Sequence, residues 1–570
     1  MVGKILTLAI LSASNVFCGK ITYQVRNGES VTENNNRALV ASRDPVSIYG
    51  VAYNTASAVL NSAAQRSTEN VCISSNILQI QDSSFEDCPK LRKIAFEPGS
   101  RLTRIGINAF YGCPLLRTIT IPPSVGLLDK LAFHLCTRLD HVAFEPDSKL
   151  NIIGEAAFAN CESLSDIIIP DRVARIETHA FLGCALRAVV IPRSVILLGE
   201  GAFRMCRKLA SVTFDPDSSL DRIRDCVFCE CSSLRDITIP ESVRRIGKGA
   251  FSNCCSLWEI AIPSSVTSLG NGAFSDCTNL VNVTFGQGSN LNNIGESAFS
   301  GCRSLRDIII PNGVTHIGQN AFCACPLKSI VIPSSVISLN GFSGCRALSS
   351  VTFEPGDHLQ TIGMEAFAGC SVLPAITIPN SVTSIGTKAF DSCTSLSSVT
   401  FESGSNLAII GNRAFKACHN LSNITIPKHV TSIEICAFQG CTNLAQVAFE
   451  QGSNLATIGE DAFAECHNLS EITIPSSVTS IGRDVFHGCT SLQTINFAAP
   501  SIEIVHSIEI AHDAFQNCPS LEVVFFDFEI GDNDFIPFLQ YTFRAWPGGT
   551  VRSRDKTYTY DEADGWTLSE

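Results

Sequence analysis

Cysteine is the residue type in this chain whose number and spacing most strongly suggest chemistry. The sequence of 570 residues contains 26 cysteines, and most of them follow a phenylalanine by three positions in a recurring Phe-x-x-Cys pattern. Cys302, in the stretch AFSGCRSLRDIIIP at 298–311, is a representative example. Cysteines placed so regularly could bind a metal ion, form disulfides or fill a hydrophobic core. The structural element that carries them decides between these roles.

The Phe-x-x-Cys pattern is one part of a longer internal repeat. It occurs nineteen times, mostly with steps of 23 or 25 residues and with exceptional steps of 20, 22 and 29. A period in this range predicts a solenoid, because one unit cannot bury its apolar side alone whereas stacked units form a continuous core. The nineteen cysteines of the pattern, called here the slot cysteines, are Cys88, Cys113, Cys136, Cys161, Cys184, Cys206, Cys231, Cys254, Cys277, Cys302, Cys325, Cys345, Cys370, Cys393, Cys418, Cys441, Cys466, Cys489 and Cys518.

The repeat predicts three short elements in each coil. Residues 305–310 (LRDIII) end in alternation, which indicates a strand, and Pro311 ends its ladder pairing. Residues 314–318 predict a second, shorter extended segment, and the spacing within 321–325 (AFCAC) predicts a single helical turn. Every second or third unit carries two extra residues, as in FEPGDHL at 353–359, and these predict a wider turn.

Three roles stay open for the cysteines, of which a core role fits the repeat best. Neighbouring slot cysteines would have Cα atoms about 5 Å apart, but parallel stacked side chains do not supply the dihedral of about 90° that a disulfide needs. A small, soft, readily buried residue explains the ladder without any bond. One cluster, comprising Cys226, Cys229, Cys231, Cys254 and Cys255, includes zinc-like Cys-x-x-Cys spacing, so a metal or one disulfide is the alternative to free thiols there. We predict no metal site.

Two outward columns are candidates for ligand binding. In the reference coil Leu305, Ile308 and Ile310 should point to the core, and Asp307 and Ile309 to the open face of the sheet. The column of Ile309 is Thr in nine units. Exposed threonines suit a half-buried strand, and a dedicated ligand face is the alternative.

The second column lies directly after the repeat leucine. Seven of the first eleven units carry a cation or a tryptophan there, whereas later units carry Ser, Pro, Ala, Gln or Glu. Arg and Trp are enriched at interface hot spots, so the column is a candidate partner patch; a solvated face neutralised by adjacent acids is the alternative. This basic column consists of Arg92, Arg117, Arg187, Arg235, Trp258, Arg306 and Lys328.

The complete repeat, Leu-x-x-Ile-x-Ile-Pro-x-Ser-Val-x-x-Ile-Gly-x-x-Ala-Phe-x-x-Cys, resembles the BspA-like class of leucine-rich repeat over about residues 71–526. It departs from the usual leucine-rich consensus in having Pro-x-x-Val after the strand. The resemblance implies a repeat solenoid of about 19 coils, with a parallel β-sheet on the concave face and short helical turns. It also implies adhesion or host-cell interaction by a secreted or cell-surface protein. The expected ligand, bound on the concave sheet of a monomer, is a protein, with glycan or matrix as alternatives.

Composition and missing motifs exclude other function classes. Hydrophobic residues make up 45% and charged residues 17% of the chain, which predicts an ordered protein with a large core. The net charge of −13 comes without a visible basic patch, so no nucleic-acid partner is expected. The 11 histidines are scattered, and no GxSxG, HExxH or P-loop motif occurs. We therefore predict a non-enzymatic protein without a cofactor.

The ends of the chain differ from the repeat region. Lys4 precedes the apolar run 5–11, which predicts a secretory signal peptide over 1–18, and no run of about 18 apolar residues predicts a transmembrane helix. Residues 19–70 are interpreted as a lead-in and N-terminal cap, 71–526 as the solenoid, and 527–570 as a C-terminal cap and tail. If the N-terminal segment is retained, the alternative is a cytoplasmic or delivered scaffold that recruits protein partners.

Overall fold

The computed structural model describes residues 68–498, most of 509–527, parts of 536–540 and 549–569, and the backbone of four strands before residue 50. The predicted cleavage region at 14–18 and much of the predicted caps lie outside the described residues. The chain divides into two compact units, 1–290 and 291–570. Each unit is a parallel β-solenoid, as the repeat predicts.

Most repeats contribute one long strand, one short strand and a pair of tight turns. In the long strand Thr118–Ile121, Ile119 and Ile121 are buried and the two threonines are exposed. β-Branched side chains suit such a half-buried strand. The short strand Leu127–Leu128 follows the proline turn and pairs in parallel with its equivalents in the coils on both sides. Strands therefore pair between coils and not within one coil.

In the first unit, the N-terminal strands are Leu6–Ala9, Thr22–Val25, Ser30–Thr32 and Val46–Tyr49. The long strands are Asn70–Ile73, Lys93–Phe96, Thr118–Ile121, His141–Phe144, Ala188–Ile191, Ser211–Phe214, Asp236–Ile237, Glu259–Ile262 and Asn282–Phe285. The short strands are Gln79–Ile80, Arg104–Ile105, Leu127–Leu128, Ile152–Ile153, Arg175–Ile176, Leu197–Leu198, Arg222–Ile223, Arg245–Ile246 and Ser268–Leu269.

In the second unit, the long strands are Ser329–Ile332, Ser350–Phe353, Ala375–Ile378, Ser398–Phe401, Asn423–Ile426, Gln446–Phe449, Glu471–Ile474, Thr494–Phe497 and Val523–Phe526. The short strands are Asn293–Ile294, His316–Ile317, Ser338–Leu339, Thr361–Ile362, Ser384–Ile385, Ile409–Ile410, Ser432–Ile433, Thr457–Ile458, Ser480–Ile481 and Glu509–Ile510. The strands Thr550–Arg552, Thr557–Asp561 and Gly565–Ser569 extend the last long-strand sheet, with antiparallel pairing between them.

The long-strand ladder narrows or opens after the units with the wider turn. Among the described residues, His141–Phe144 is joined to the next coil by a single bridge, from Val142 to Ile167. Gln446–Phe449 and Glu471–Ile474 lie in separate sheets. In these units the long strand ends in Phe, and the turn that follows contains two extra residues. The next long strand therefore does not pair over its full length with the one before it.

Residues 305–310 form no strand, contrary to the prediction for the reference coil. The burial alternates as expected, however: Ile308 and Ile310 are buried, whereas Asp307 and Ile309 are exposed. Aspartate has low β-propensity, and the same position is aspartate at Asp166 and Asp236, in the two other coils whose long strand is missing or only two residues long.

The Ala-Phe-x-x-Cys segment forms two consecutive turns where the spacing predicts a helical turn. Asn108 and Gly112 have φ of 53° and 66°, in the left-handed region. Their amides, with that of Phe110, donate to carbonyls of the next coil at 3.0, 2.8 and 2.8 Å. In a helix these amides would bond within their own coil. The alternating left-handed residues instead add a third ladder between coils.

Phenylalanine and cysteine fill the core beneath these turns. In each unit the repeat phenylalanines stack face to face, as in the pair Phe133 and Phe158 with ring centroids 5.3 Å apart and planes 3° apart. The slot cysteines are buried, and all 25 described cysteines are free thiols. Cys161 shows what the slot does. Its Sγ donates to the Phe133 carbonyl of the preceding coil at 3.2 Å, and that carbonyl also accepts the amide of Cys136 at 3.1 Å.

Replacing a slot cysteine should therefore cost more than replacing an exposed one. Cys161→Ala removes a donor from a buried carbonyl and leaves a small void, so we expect a loss of about 1–2 kcal/mol in the free energy of unfolding. Denaturant unfolding measures it. Cys255→Ala is the control, because Cys255 is partly exposed and its thiol lies 3.7 Å from its acceptor. Equal costs for the two variants would contradict the role of the slot.

Stability should also fall at alkaline pH. Burial raises the pKa of Cys206 and of Cys441 to about 12. The pKa of a thiol in the unfolded chain is about 8.5, so the thiols do not make stability depend on pH below that value. Above it the unfolded state gains thiolate while the folded state does not, and the free energy of unfolding decreases as pH rises towards 12. Ultraviolet thiolate absorbance at pH 10 should be weak in the folded protein and strong after unfolding; equal signals would contradict this.

Candidate binding face

The long strands present one exposed face in each unit, called here the long-strand face. It consists of the first and third strand residues and the residue just before each strand. The third position carries the threonine column, and the hydroxyls of Thr377 and Thr400 lie 2.9 Å apart on neighbouring strands. All nine threonines are exposed: Thr120, Thr213, Thr238, Thr284, Thr352, Thr377, Thr400, Thr425 and Thr473.

The basic column precedes the long strands, and every one of its seven members is exposed. Backbone hydrogen bonds keep it in register: the amide of Lys328 donates to the carbonyl of Arg306 at 3.2 Å. Arg117 pairs with Asp140, which occupies the same column in the next coil, at 2.9 Å.

Most of the column is not neutralised by its neighbours. In the described part of the chain, Arg187, Arg235, Arg306 and Lys328 make no ion pair, including with the aspartates that directly follow two of them. Desolvating such a cation costs least when a partner supplies a carboxylate. These four residues are therefore free to accept an acidic partner.

Four exposed aliphatic residues share the threonine column and were missed as a group from the sequence. Ile168 and Val190 lie on consecutive coils of the first unit and are 85% and 52% exposed. Ile309 and Val331 do so in the second unit and are 85% and 50% exposed. Their signal is the replacement of the common Thr by a larger apolar residue. We call these two sets the aliphatic pairs. In each pair at least one of the two coils also carries a cation of the basic column: Arg187 in the first unit, and Arg306 and Lys328 in the second.

Clefts form where the long-strand ladder opens. In the first unit a cleft of about 620 Å³ lies between residues 141–148 and 166–172, and Ile168 lines it. His141 Nδ1 and Asp166 Oδ1 stand 3.9 Å apart at its edge. A cleft of about 490 Å³ occupies the corresponding place in the second unit, between residues 446–453 and 471–476. The long-strand face therefore contains clefts at the wider turns in addition to the threonine and basic columns.

The cysteine cluster does not assemble a metal centre among the described residues, which contain no group of three potential ligands. Cys226 is partly exposed and Cys229 is buried. Burial, with Cys226 close by, raises the pKa of Cys229 to about 11, so it stays a protonated thiol near neutral pH. Slot cysteines Cys231 and Cys254 instead bond to carbonyls of preceding coils.

These features define a leucine-rich-repeat solenoid, a class of repeat protein. A family model described as the BspA type leucine rich repeat region matches six times, over residues 63–187, 144–220, 199–328, 315–409, 336–452 and 408–536. The chain therefore belongs to the BspA-type leucine-rich repeat family, which confirms the predicted resemblance and fold. No helix within the described residues is long and apolar enough to cross a membrane.

The chain is also similar to solved structures. A leucine rich cell surface protein from Faecalibacterium prausnitzii is 25% identical, with 70% of this chain and 88% of that chain covered and a TM-score of 0.37. A leucine-rich repeat protein from Bacteroides ovatus is 24% identical, with 79% and 87% covered and a TM-score of 0.34. The pneumococcal vaccine antigen PcpA is 15% identical, with 84% and 85% covered and a TM-score of 0.25. No curated protein matches the chain.

Neighbouring isoleucines provide a test of which side chains form the face. Ile168→Thr places the common residue of its column on the surface, so the free energy of unfolding should change by less than about 0.5 kcal/mol. Ile167→Thr buries a hydroxyl in the core and should cost about 1–3 kcal/mol. Denaturant unfolding of both variants measures the difference. A cost at Ile168 as large as at Ile167 would contradict the exposed position.

Proposed function

We propose that this chain is a non-enzymatic protein-binding module, secreted or displayed at a cell surface, that acts in adhesion through its long-strand face. The observation that carries the proposal is the repeated arrangement of an exposed aliphatic pair beside unpaired cations. In the first unit Arg187 directly precedes the strand that carries Val190. In the second unit Lys328 directly precedes the strand that carries Val331.

The chemistry of this arrangement suits a protein partner with an acidic and apolar surface. Covering the aliphatic pairs removes apolar area from water, at about 25 cal/mol per Å². The adjacent cations then select a partner that carries carboxylates and speed up its approach. The open clefts beside the columns provide recesses for protruding side chains. BspA-type membership supports adhesion as the setting.

A second candidate is a scaffold that works inside a cell. The specific observation in its favour is that the partly exposed Cys72, Cys226, Cys255 and Cys323 form no disulfide, as is usual in a reducing compartment. The state of the N-terminal segment separates the two candidates. A mature chain that starts near residue 18 and is recovered outside the cell favours the surface protein, and an intact Met1 on a cytosolic chain favours the scaffold.

Charge reversal tests the binding face. The triple variant Arg187→Glu, Arg235→Glu and Arg306→Glu should lose at least tenfold in affinity, because an acidic partner would meet like charge. The full chain is immobilised and exposed to detergent-solubilised cell-surface proteins; the retained protein is identified, purified and titrated directly. Arg303→Glu is the matched control, since Arg303 is exposed in the same coil as Arg306 but lies in the turn.

Two outcomes decide the proposal. Weakened binding by the triple variant, together with unchanged binding by Arg303→Glu, supports the long-strand face. Wild-type affinity in the triple variant and in Ile168→Thr with Val190→Thr would exclude it.

A further inference from the structure

A second cationic surface lies on the short-strand side of the first unit. Two consecutive coils contribute five exposed basic residues, which we call the short-strand patch: Arg222, Arg224, Arg244, Arg245 and Lys248. No basic patch is visible in the sequence, because its two parts, residues 222–224 and 244–248, are about twenty positions apart along the chain. The parallel ladder brings them together.

Backbone contacts fix the two coils against each other in this region. Arg222 and Arg245 are direct partners across the short-strand ladder. The amide of Arg244 donates to the carbonyl of Asp221 at 2.8 Å, and the amide of Lys248 donates to Asp225 Oδ1 at 2.8 Å. The patch therefore presents its cations at the spacing of adjacent β-strands, about 4.8 Å.

The positive charge of the patch is only partly compensated. Arg222 pairs with Asp221 at 2.9 Å, and the two nearby guanidinium groups, Arg222 first and Arg224 less, lower the pKa of that carboxyl. In the part of the chain that the structure describes, the other four cations make no ion pair. Like charges directly opposite each other on a ladder are destabilising. An unpaired cluster of this kind stands out on a chain with a net charge of −13.

The fold itself does not require arginine at this position. The partner of Arg245 in the following coil is Ser268. In the second unit the same position of the short strand is mostly a small hydroxyl residue, as in Ser338, Thr361, Ser384, Ser432, Thr457 and Ser480. Two adjacent arginines thus carry an electrostatic cost at a place where the repeat accommodates serine, which indicates a role in binding.

A recess accompanies the patch and limits the kind of ligand. It has a volume of about 300 Å³, and its charged lining consists of Arg222, Arg224 and Arg245 together with Glu200 and Asp225. This volume admits a sugar ring or one oxyanion group but not a folded protein. The lining contains no aromatic side chain on which a nucleic-acid base could stack, and no apolar side chain other than Ile223, which is buried.

We propose that the short-strand patch binds a sulfated polysaccharide. The planar guanidinium groups match the oxygen atoms of sulfate esters and can form charge-assisted pairs with them. An extended polymer with closely spaced sulfates can meet both coils at once, and the recess takes one substituted ring. The carboxylates of Glu200 and Asp225 in the lining and the acidic remainder of the chain confine the contact to a short stretch of the polymer. This site is independent of the long-strand face.

The test compares heparin binding by the full-length wild-type chain and by the double variant Arg222→Ser with Arg245→Ser. We expect heparin to bind at low salt, and the double variant to bind at least tenfold more weakly. The slope of log affinity against log salt should fall by about two, because two fewer sulfates are neutralised. The double variant should unfold at the same denaturant concentration as the wild type or a higher one. Should it fail to fold, Arg244→Ser with Lys248→Ser tests the same patch.

The controls distinguish this proposal from the proposed function. Arg187→Ser with Arg235→Ser removes two arginines from the long-strand face and should leave heparin affinity unchanged. Chemically desulfated heparin should not bind. The proposal is overturned if the wild type does not bind heparin at low salt, if the double serine variant binds like the wild type, or if a single-stranded oligonucleotide of equal charge binds as tightly as heparin.

Discussion

Each coil of this solenoid must present its neighbour with a matched edge of backbone donors and acceptors at the spacing of adjacent strands, about 4.8 Å. A buried amide or carbonyl that misses its partner costs free energy comparable to a lost hydrogen bond. The short strands and the turns satisfy this requirement with their own ladders, and the long strands do so between the wider turns. The repeat residues that look chemically active serve the same requirement.

Two repeated residues, the slot cysteine and the serine two positions after the repeat proline, supply donors to backbone carbonyls of the preceding coil. Cys161 donates to a phenylalanine carbonyl of the preceding coil at 3.2 Å. Ser194 donates its hydroxyl to the carbonyl of Val173 at 2.8 Å, and Ser335 does the same to Val314 at 2.6 Å. In each case a small side chain reaches a carbonyl that the strand ladders do not use. Repetition of Cys and Ser therefore reflects repetition of the same backbone acceptor.

The sequence predicted those features that are set within one coil. Alternation places Ile308 and Ile310 inward and Ile309 outward, and the structure agrees. The missing strand at 305–310 and the opened ladders could not be predicted in this way, because pairing depends on two coils and on the turn between them. The short-strand patch could not be predicted for the same reason, because Arg222 and Arg245 become neighbours only through the ladder. The helical-turn prediction counted the spacing of Phe and Cys correctly but had no information on the left-handed residues between them.

Because the slot cysteines are buried and protonated, their large number does not indicate in which compartment the protein works. Free thiols are usual in reducing surroundings because exposed thiolates are oxidised elsewhere. Burial raises the pKa of Cys206 to about 12, and its thiol donates to the carbonyl of Phe181 at 3.1 Å. A thiol held in this way has almost no thiolate at neutral pH and no access to an oxidant. A solenoid built on such thiols is therefore as compatible with secretion as with the cytoplasm. The redox environment would act on the partly exposed cysteines, which are Cys72, Cys226, Cys255 and Cys323.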